Sequence, residues 1–440
     1  MSELTQPLPC PALPAATSGE ASVFASRLVI WVFCLTQFAD ISFGRAADLP
    51  ITLQKLVGLC VYPLALVLLR RSPLGWGMRW FSAALLAAYS IAALFRPDIL
   101  GNVVAADVGV VAAALGAYLL YLALTSRPEA FDEFLLAWTL VAAVTSVIGV
   151  LQVAELLPTM PAIDKEADFA LLTDGVRRGW GLKADANFQA LMLVVGLVTA
   201  RLAPLRRRWP VIAVILCGLL ATFSRMGLLL GIAALFVTSL LERPREQRGA
   251  SLRVVGRYLL ALALALALLA VAAASGLSPS TELFLERMSE TTSVVDLLAE
   301  GAVEEPEDRN LNSTEGRAAL LLGSIEIAGE NLPFGIGPYQ TEAMMYERLG
   351  LYNVAHNVYM EWVMIGGIFG LVPPLVFVAA VRRARRAGRG RADRRGWTLL
   401  VVLAIVFGVG GFCLSLTYNS IIWLPMALAD WLRHRAAARG

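Results

Sequence analysis

Apolar runs near 20 residues recur along this chain from about residue 23 to residue 433. A run of that length spans a bilayer as a helix. A soluble α/β fold would not hide so many. Composition agrees: 58% of the 440 residues are hydrophobic and 16% are charged, against about a quarter charged in soluble domains. The reading is an all-α, polytopic membrane helix bundle of about twelve spans. They are expected near 23–42, 50–69, 79–96, 101–124, 131–157, 186–203, 209–223, 226–241, 258–275, 357–380, 397–414 and 418–433.

Charge placement orients the bundle, because short loops rich in Lys and Arg stay in the cytoplasm. Arg70, Arg71 and Arg79 flank one such loop, and Arg201, Arg206, Arg207 and Arg208 the next. Arg243, Arg245, Arg248, Arg253 and Arg257 form a third, and the densest runs from Arg382 to Arg395. With twelve spans every basic loop falls on one side. Residues 1–22 and 434–440 become cytoplasmic tails, the first Pro-, Ser- and Ala-rich and expected to be disordered. Residues 23–275 hold the first nine helices, and 357–433 the last three.

The other side receives loops at 158–185 and 276–356, both acidic on balance. The larger is expected to contain short helices. One lies near 281–300, and another at 314–329 ends in a turn at Pro333, Gly335 and Gly337. The five cysteines show neither zinc spacing nor a disulfide framework. The Gly335-Ile336-Gly337 stretch follows no strand, so it is no dinucleotide fingerprint. The arginine-rich loop between two membrane helices reads as a topology anchor meeting anionic lipid rather than nucleic acid.

Chemistry-bearing residues gather at the outer face. They are His356-Asn357 at the start of the tenth helix, Ser224-Arg225 in a tight hairpin, Arg317 on the loop helix, and Arg178 leading toward Asn187. A charge at a membrane helix centre costs on the order of 3 kcal/mol, so Arg225 needs a partner or a task. Guanidinium grips phosphate through two parallel hydrogen bonds. A lipid-linked diphosphate is the anion available in that leaflet. An imidazole titrates near neutral pH and can accept a proton from a sugar hydroxyl.

These residues resemble a family. His356-Asn357-Val358-Tyr359-Met360-Glu361-Trp362, followed by Gly366-Gly367-Ile368-Phe369-Gly370, is similar to the "HN…E.G..G" signature of the O-antigen ligase and polysaccharide polymerase superfamily. Arg317 followed by Pro333-Phe334-Gly335-Ile336-Gly337 resembles its "R…P.GxG" segment, and Ser224-Arg225-Met226-Gly227 its "SRG" hairpin. Arg178-Gly179-Trp180-Gly181 with Asn187 and Ala190 resembles its "R..G…PN..A" helix entry. Asp185-Ala186-Asn187 replaces the usual Asn-Pro-Asn, and Met226 stands where glycine is common.

The resemblance implies glycan transfer from undecaprenyl diphosphate to a hydroxyl acceptor on the periplasmic face of the inner membrane, without metal or other cofactor. The acceptor would be lipid A–core for a ligase, or a growing polysaccharide for a polymerase; protein is a third possibility. On that basis His356 is expected to act as general base or to orient the acceptor hydroxyl, with Arg225 and Arg317 neutralising the leaving diphosphate. The resemblance makes Arg178, Asn187, Asn357, Ser224, Gly335 and Gly337 substrate-binding candidates. The alternative of a different class is a transporter or lipid-linked glycan flippase.

Overall fold

The computed structural model describes residues 17–39, 42–46, 49–69, 72–158, 178–183, 185–242, 314–350, 356–387, 393–412, 414–417 and 419–438. Its helices are α1 (Thr17–Phe38), α2 (Leu53–Leu68), α3 (Trp76–Ser90), α4 (Leu100–Ser126), α5 (Ala130–Val153), α6 (Ala186–Leu202), α7 (Trp209–Ala221) and α8 (Arg225–Glu242). They continue with α9 (Thr314–Glu330), α10 (Thr341–Leu349), α11 (Val358–Gly366), α12 (Val372–Ala387), α13 (Arg394–Gly410) and α14 (Leu424–Ala437). The architecture is all-α, with one small exception. The first helix stops at Phe38, short of its expected end at 42. An antiparallel hairpin then follows, β1 (Ser42–Ala46) and β2 (Leu49–Thr52). Pro50 sits there opposite Arg45, which a two-stranded ribbon tolerates because both strands are edges.

Among the described residues, six helical segments are long and apolar enough to cross a membrane: Gly19–Phe38, Trp76–Leu94, Pro97–Ser126, Ala130–Val153, Arg225–Glu242 and Val358–Arg386. This is a multi-pass membrane protein, but the expected count of twelve spans is not what these criteria return. Leu56–Leu68, Ala186–Leu202 and Trp209–Ala221 are apolar but shorter. The expected helices at 258–275 and 281–300 lie outside the described residues. The tenth expected span is broken: α11 ends at Gly366, a 3-10 turn covers Gly367–Leu371, and α12 resumes at Val372.

The core is built around α6, which is buried on nearly every face. Small residues let its neighbours approach. Gly196 faces Ala142 of α5, and Gly218 of α7 faces Ser146 of α5, each with too little room for a Cβ. Thr139 and Thr199 hydroxyls meet at 3.1 Å between α5 and α6.

The two ends of the bundle differ in chemistry. At one end the basic residues pair across helices. Arg201 meets Glu242 at 2.7 Å, Arg395 meets Asp132 at 2.8 Å, and Arg435 meets Asp393 at 2.5 Å. Arg394 donates to the Leu241 carbonyl at 2.7 Å, and the Arg383 guanidinium lies 4.0 Å from the Trp76 ring. The starts of α3, α5 and α13 and the ends of α6, α8, α12 and α14 therefore share that end. Just inside it, the buried Asp430 carboxylate of α14 accepts from the Gly77 and Met78 N–H groups, at 3.0 and 2.9 Å. It caps α3 from another helix. A Cβ on Gly75 would fall 2.1 Å from the Asp430 Cγ.

Removing that carboxylate strands two buried donors. Asp430→Ala is expected to lower stability by about 3 kcal/mol, read as a lower melting temperature in detergent. An unchanged melting temperature would show that water replaces the carboxylate at the α3 terminus.

Candidate functional site

The opposite end of the bundle is made of helix breaks. Arg178 precedes α6; its Nε donates to the Thr222 carbonyl at 2.9 Å, and its guanidinium to the Asn187 Oδ1 at 3.2 Å. Gly179 donates to the Ala221 carbonyl at 2.8 Å. Gln152, near the end of α5, clamps the next two residues. Its Oε1 accepts from Trp180 and Gly181 N–H at 3.0 and 2.9 Å, while its Nε2 donates to the Gly181 carbonyl at 2.9 Å. Asp185 then caps α6, accepting from Asn187 N–H at 2.6 Å and Phe188 N–H at 3.2 Å. A carboxylate cap thus starts this helix without the proline of the family pattern.

Ser224 starts α8 in the same manner. Phe223 takes a positive φ of 50°, the chain turns, and the Ser224 Oγ accepts from Gly227 N–H at 3.2 Å. Arg225 is the first residue of that helix. A Cβ on Gly227 would stand 2.5 Å from the Ala190 Cβ, so α6 and α8 touch at their first turns. Asn187, Ser224 and Gly227 line one small cavity with Leu414, which follows α13.

Leu414 links this group to His356. Val358 N–H donates to the Gly411 carbonyl at 2.8 Å, so the start of α11 sits on the end of α13. Asn357 caps α11, its Oδ1 accepting from Tyr359 and Met360 N–H at 3.1 and 3.2 Å. His356 immediately precedes that cap with φ of 49°, a left-handed conformation uncommon outside glycine and enriched in histidine. The N-termini of α6, α8 and α11 all meet the 410–414 stretch, and each carries a partial positive charge.

The remaining candidates sit elsewhere. Gly335 and Gly337 dock onto the break between α11 and α12. Ile336 N–H donates to Met364 O at 2.7 Å, Gly337 N–H to Ile365 O at 3.0 Å, and Ile368 N–H to Pro333 O at 3.0 Å. A Cβ on Gly335 would lie 2.4 Å from the Ile365 carbonyl oxygen. The two sequence motifs are therefore one structural unit; a Cβ on Gly337 would instead fall 2.2 Å from the Ile99 Cδ1. Arg317 lies on α9, whose buried Leu320, Ile327 and Ala328 pack with Ile336, Met345 and Met364. That small core ties its helix to α11, but the Arg317 side chain falls outside the described residues.

Two further polar residues escaped the sequence reading as site candidates. Glu361 is buried on α11, one turn beyond Asn357; it accepts from Ser415 Oγ at 2.6 Å and from the Thr417 hydroxyl. A carboxylate in an otherwise apolar span was the available signal. Lys183 is buried in the segment that carries Arg178, and its burial had no sequence signal. Among the described residues no group of three or more His, Cys, Asp and Glu side chains comes together.

The fold defines a multi-pass membrane protein in which Asn187 and Ser224, at the starts of α6 and α8, share one small cavity with Leu191, Met226, Leu230 and Leu414. Residues 210–375 match the family model described as O-antigen ligase, which supports the O-antigen ligase-like superfamily. At the family level the match implies glycosyl transfer of the ligase or polymerase type. It covers Ser224-Arg225, Arg317, the Gly335–Gly337 turn and His356-Asn357, and leaves Arg178 and Asn187 outside. No curated protein matches the chain.

The contact between Gly227 and Ala190 gives a test of this packing. Gly227→Ala is expected to cost about 1–3 kcal/mol by overpacking, with stability recovered in the double variant carrying Ala190→Gly. Thermal unfolding of the single and double variants measures both; additive losses would place the two helices apart.

Proposed function

We propose that this protein is a glycosyltransferase of the inner membrane that moves a glycan from undecaprenyl diphosphate to a hydroxyl acceptor at the periplasmic face. The observation that supports the reading is the meeting of the starts of α6, α8 and α11 near Leu414, with Arg225 on α8, His356 just before α11 and Arg178 bonded to Asn187 of α6, at the end remote from the paired arginines. The basic end is cytoplasmic under the positive-inside rule. Residues 158–185 and 276–356 then lie on the periplasmic side, with both chain termini in the cytoplasm.

In this reaction the acceptor oxygen attacks the anomeric carbon, and the bond from that carbon to the diphosphate oxygen breaks. His356 takes the hydroxyl proton. The diphosphate leaves with the bonding electrons, and Arg225 and Arg317 neutralise the charge that builds on it. Arg178, oriented by Asn187 and the Thr222 carbonyl, supports the phosphate or the glycan. Ser224 and Asn357 act through their caps, orienting Arg225 and His356. Gly335 and Gly337 shape the break that supports α11. Guanidinium groups take the place of a divalent cation here, so the transfer is metal-independent. The acceptor is lipid A–core in a ligase, or the growing polysaccharide in a polymerase.

Transfer from a purified lipid-diphosphate glycan to defined acceptors tests the reading. His356→Ala should slow it about 10²–10⁴-fold, the usual worth of a general base. Arg225→Ala should slow it about 10²–10³-fold, the cost of losing one donor to developing charge. A chelator should leave the rate unchanged. Near wild-type transfer by His356→Ala would remove the base assignment. Glycolipid movement across liposomes with no transfer to any acceptor would make the protein a flippase instead.

Deletion of the gene separates the acceptors on a lipopolysaccharide gel. Loss of all capped core identifies a ligase, and capping by single repeats a polymerase.

A further inference from the structure

A second cavity lies in the membrane-spanning part of the fold, between α3, α11, α12 and α13. Its volume is about 350 Å³, within the range of sites that hold a small-molecule ligand. Phe81, Trp362, Phe377, Val378 and Phe407 are among its walls, and Arg382 is its one charged lining residue. Val378 is 43% exposed, so the cavity opens sideways through α12 toward lipid.

The position of the charge selects the occupant. Arg382 stands near the C-terminal end of α12, at the arginine-rich end of the bundle, beside Arg383 on its tryptophan. Among the described residues no carboxylate lies within ion-pair distance of Arg382, whereas Arg201, Arg395 and Arg435 each have one. From Pro374 to Arg382 the wall extends eight residues along α12, about 12 Å at about 1.5 Å per residue. That is close to one leaflet, half of a hydrocarbon core about 30 Å thick. A polyprenyl diphosphate engaged at the candidate site would carry its charge at the opposite end.

We propose that this groove holds one anionic phospholipid of the leaflet at the basic end, its phosphate on Arg382 and an acyl chain between α12 and α13. The groove also reaches Val358 and Tyr359 at the start of α11, next in sequence to His356-Asn357, but the phosphate contact proposed here is at Arg382 and does not depend on the transfer chemistry. Phosphate on guanidinium supplies selectivity for the headgroup, and the aromatic walls hold the chain. Such a lipid would fill the gap between the lower half of the broken span and α13.

The full-length protein is reconstituted in bilayers of phosphatidylglycerol and phosphatidylcholine in equal parts, and retained lipid is read by native mass spectrometry. Wild type should retain one phosphatidylglycerol in preference to phosphatidylcholine. Arg382→Gln should reduce that preference about fivefold, the equivalent of about 1 kcal/mol per arginine at an anionic surface. Val378→Trp should remove retention of either lipid by filling the groove. Arg385→Gln, at the same end but off the groove wall, should change nothing. Val378→Phe serves if the tryptophan variant does not fold, which circular dichroism and gel filtration report. Equal preference in wild type and Arg382→Gln would overturn the proposal. So would equal retention of the two lipids by wild type, or displacement of phosphatidylglycerol by added polyprenyl phosphate.

Discussion

A bilayer core offers no partner to a backbone N–H or C=O, so a helix interrupted within it must have its freed groups satisfied by the protein itself. Each break at the site end obeys this requirement. Gln152 takes up the Trp180 and Gly181 amides, Asp185 starts α6, Ser224 starts α8 and Asn357 starts α11. The break between α11 and α12 is closed by the Pro333–Gly337 turn. The caps that make the helices possible also aim three helix N-termini at one place.

That arrangement gives the site its electrostatics. A capped N-terminus leaves further N–H groups pointing outward, and an arginine on one adds positive charge to the partial charge of the helix end. Arg178 is oriented there by the Thr222 carbonyl and the Asn187 amide oxygen. At the opposite end Arg201, Arg395 and Arg435 each meet an acidic group of another segment. Arginines therefore occur at both ends of the bundle, and those of the second end join helices through ion pairs. The proposed lipid at Arg382 would belong to the second end.

The sequence was informative where local chemistry is sufficient. Apolar runs marked the helices, because burial of a continuous apolar surface does not depend on neighbours. Arginine-rich loops marked one end, because charge excludes those segments from the hydrocarbon. The asparagine and serine of the short motifs were visible, but their work as helix caps was not, since a cap and a ligand-binding side chain look alike in a linear pattern. The close approach of Gly335 to the Ile365 carbonyl and of Gly337 to the Ile99 side chain is likewise invisible in the linear pattern.

The amino-acid order alone specified an all-helical membrane protein, its basic end, and the residues that resemble a glycosyltransferase family. Those properties follow from hydrophobic length, charge and local motif, each read within about one helix. The three-dimensional packing settled the matters that join distant segments. It broke the tenth span at Gly366, replaced the end of the first with a hairpin, buried Glu361 against Ser415 and Thr417, and brought Asn187, Ser224 and Leu414 to one cavity. These pairings span tens to hundreds of residues, and no local preference encodes which carbonyl or hydroxyl a freed backbone group will meet.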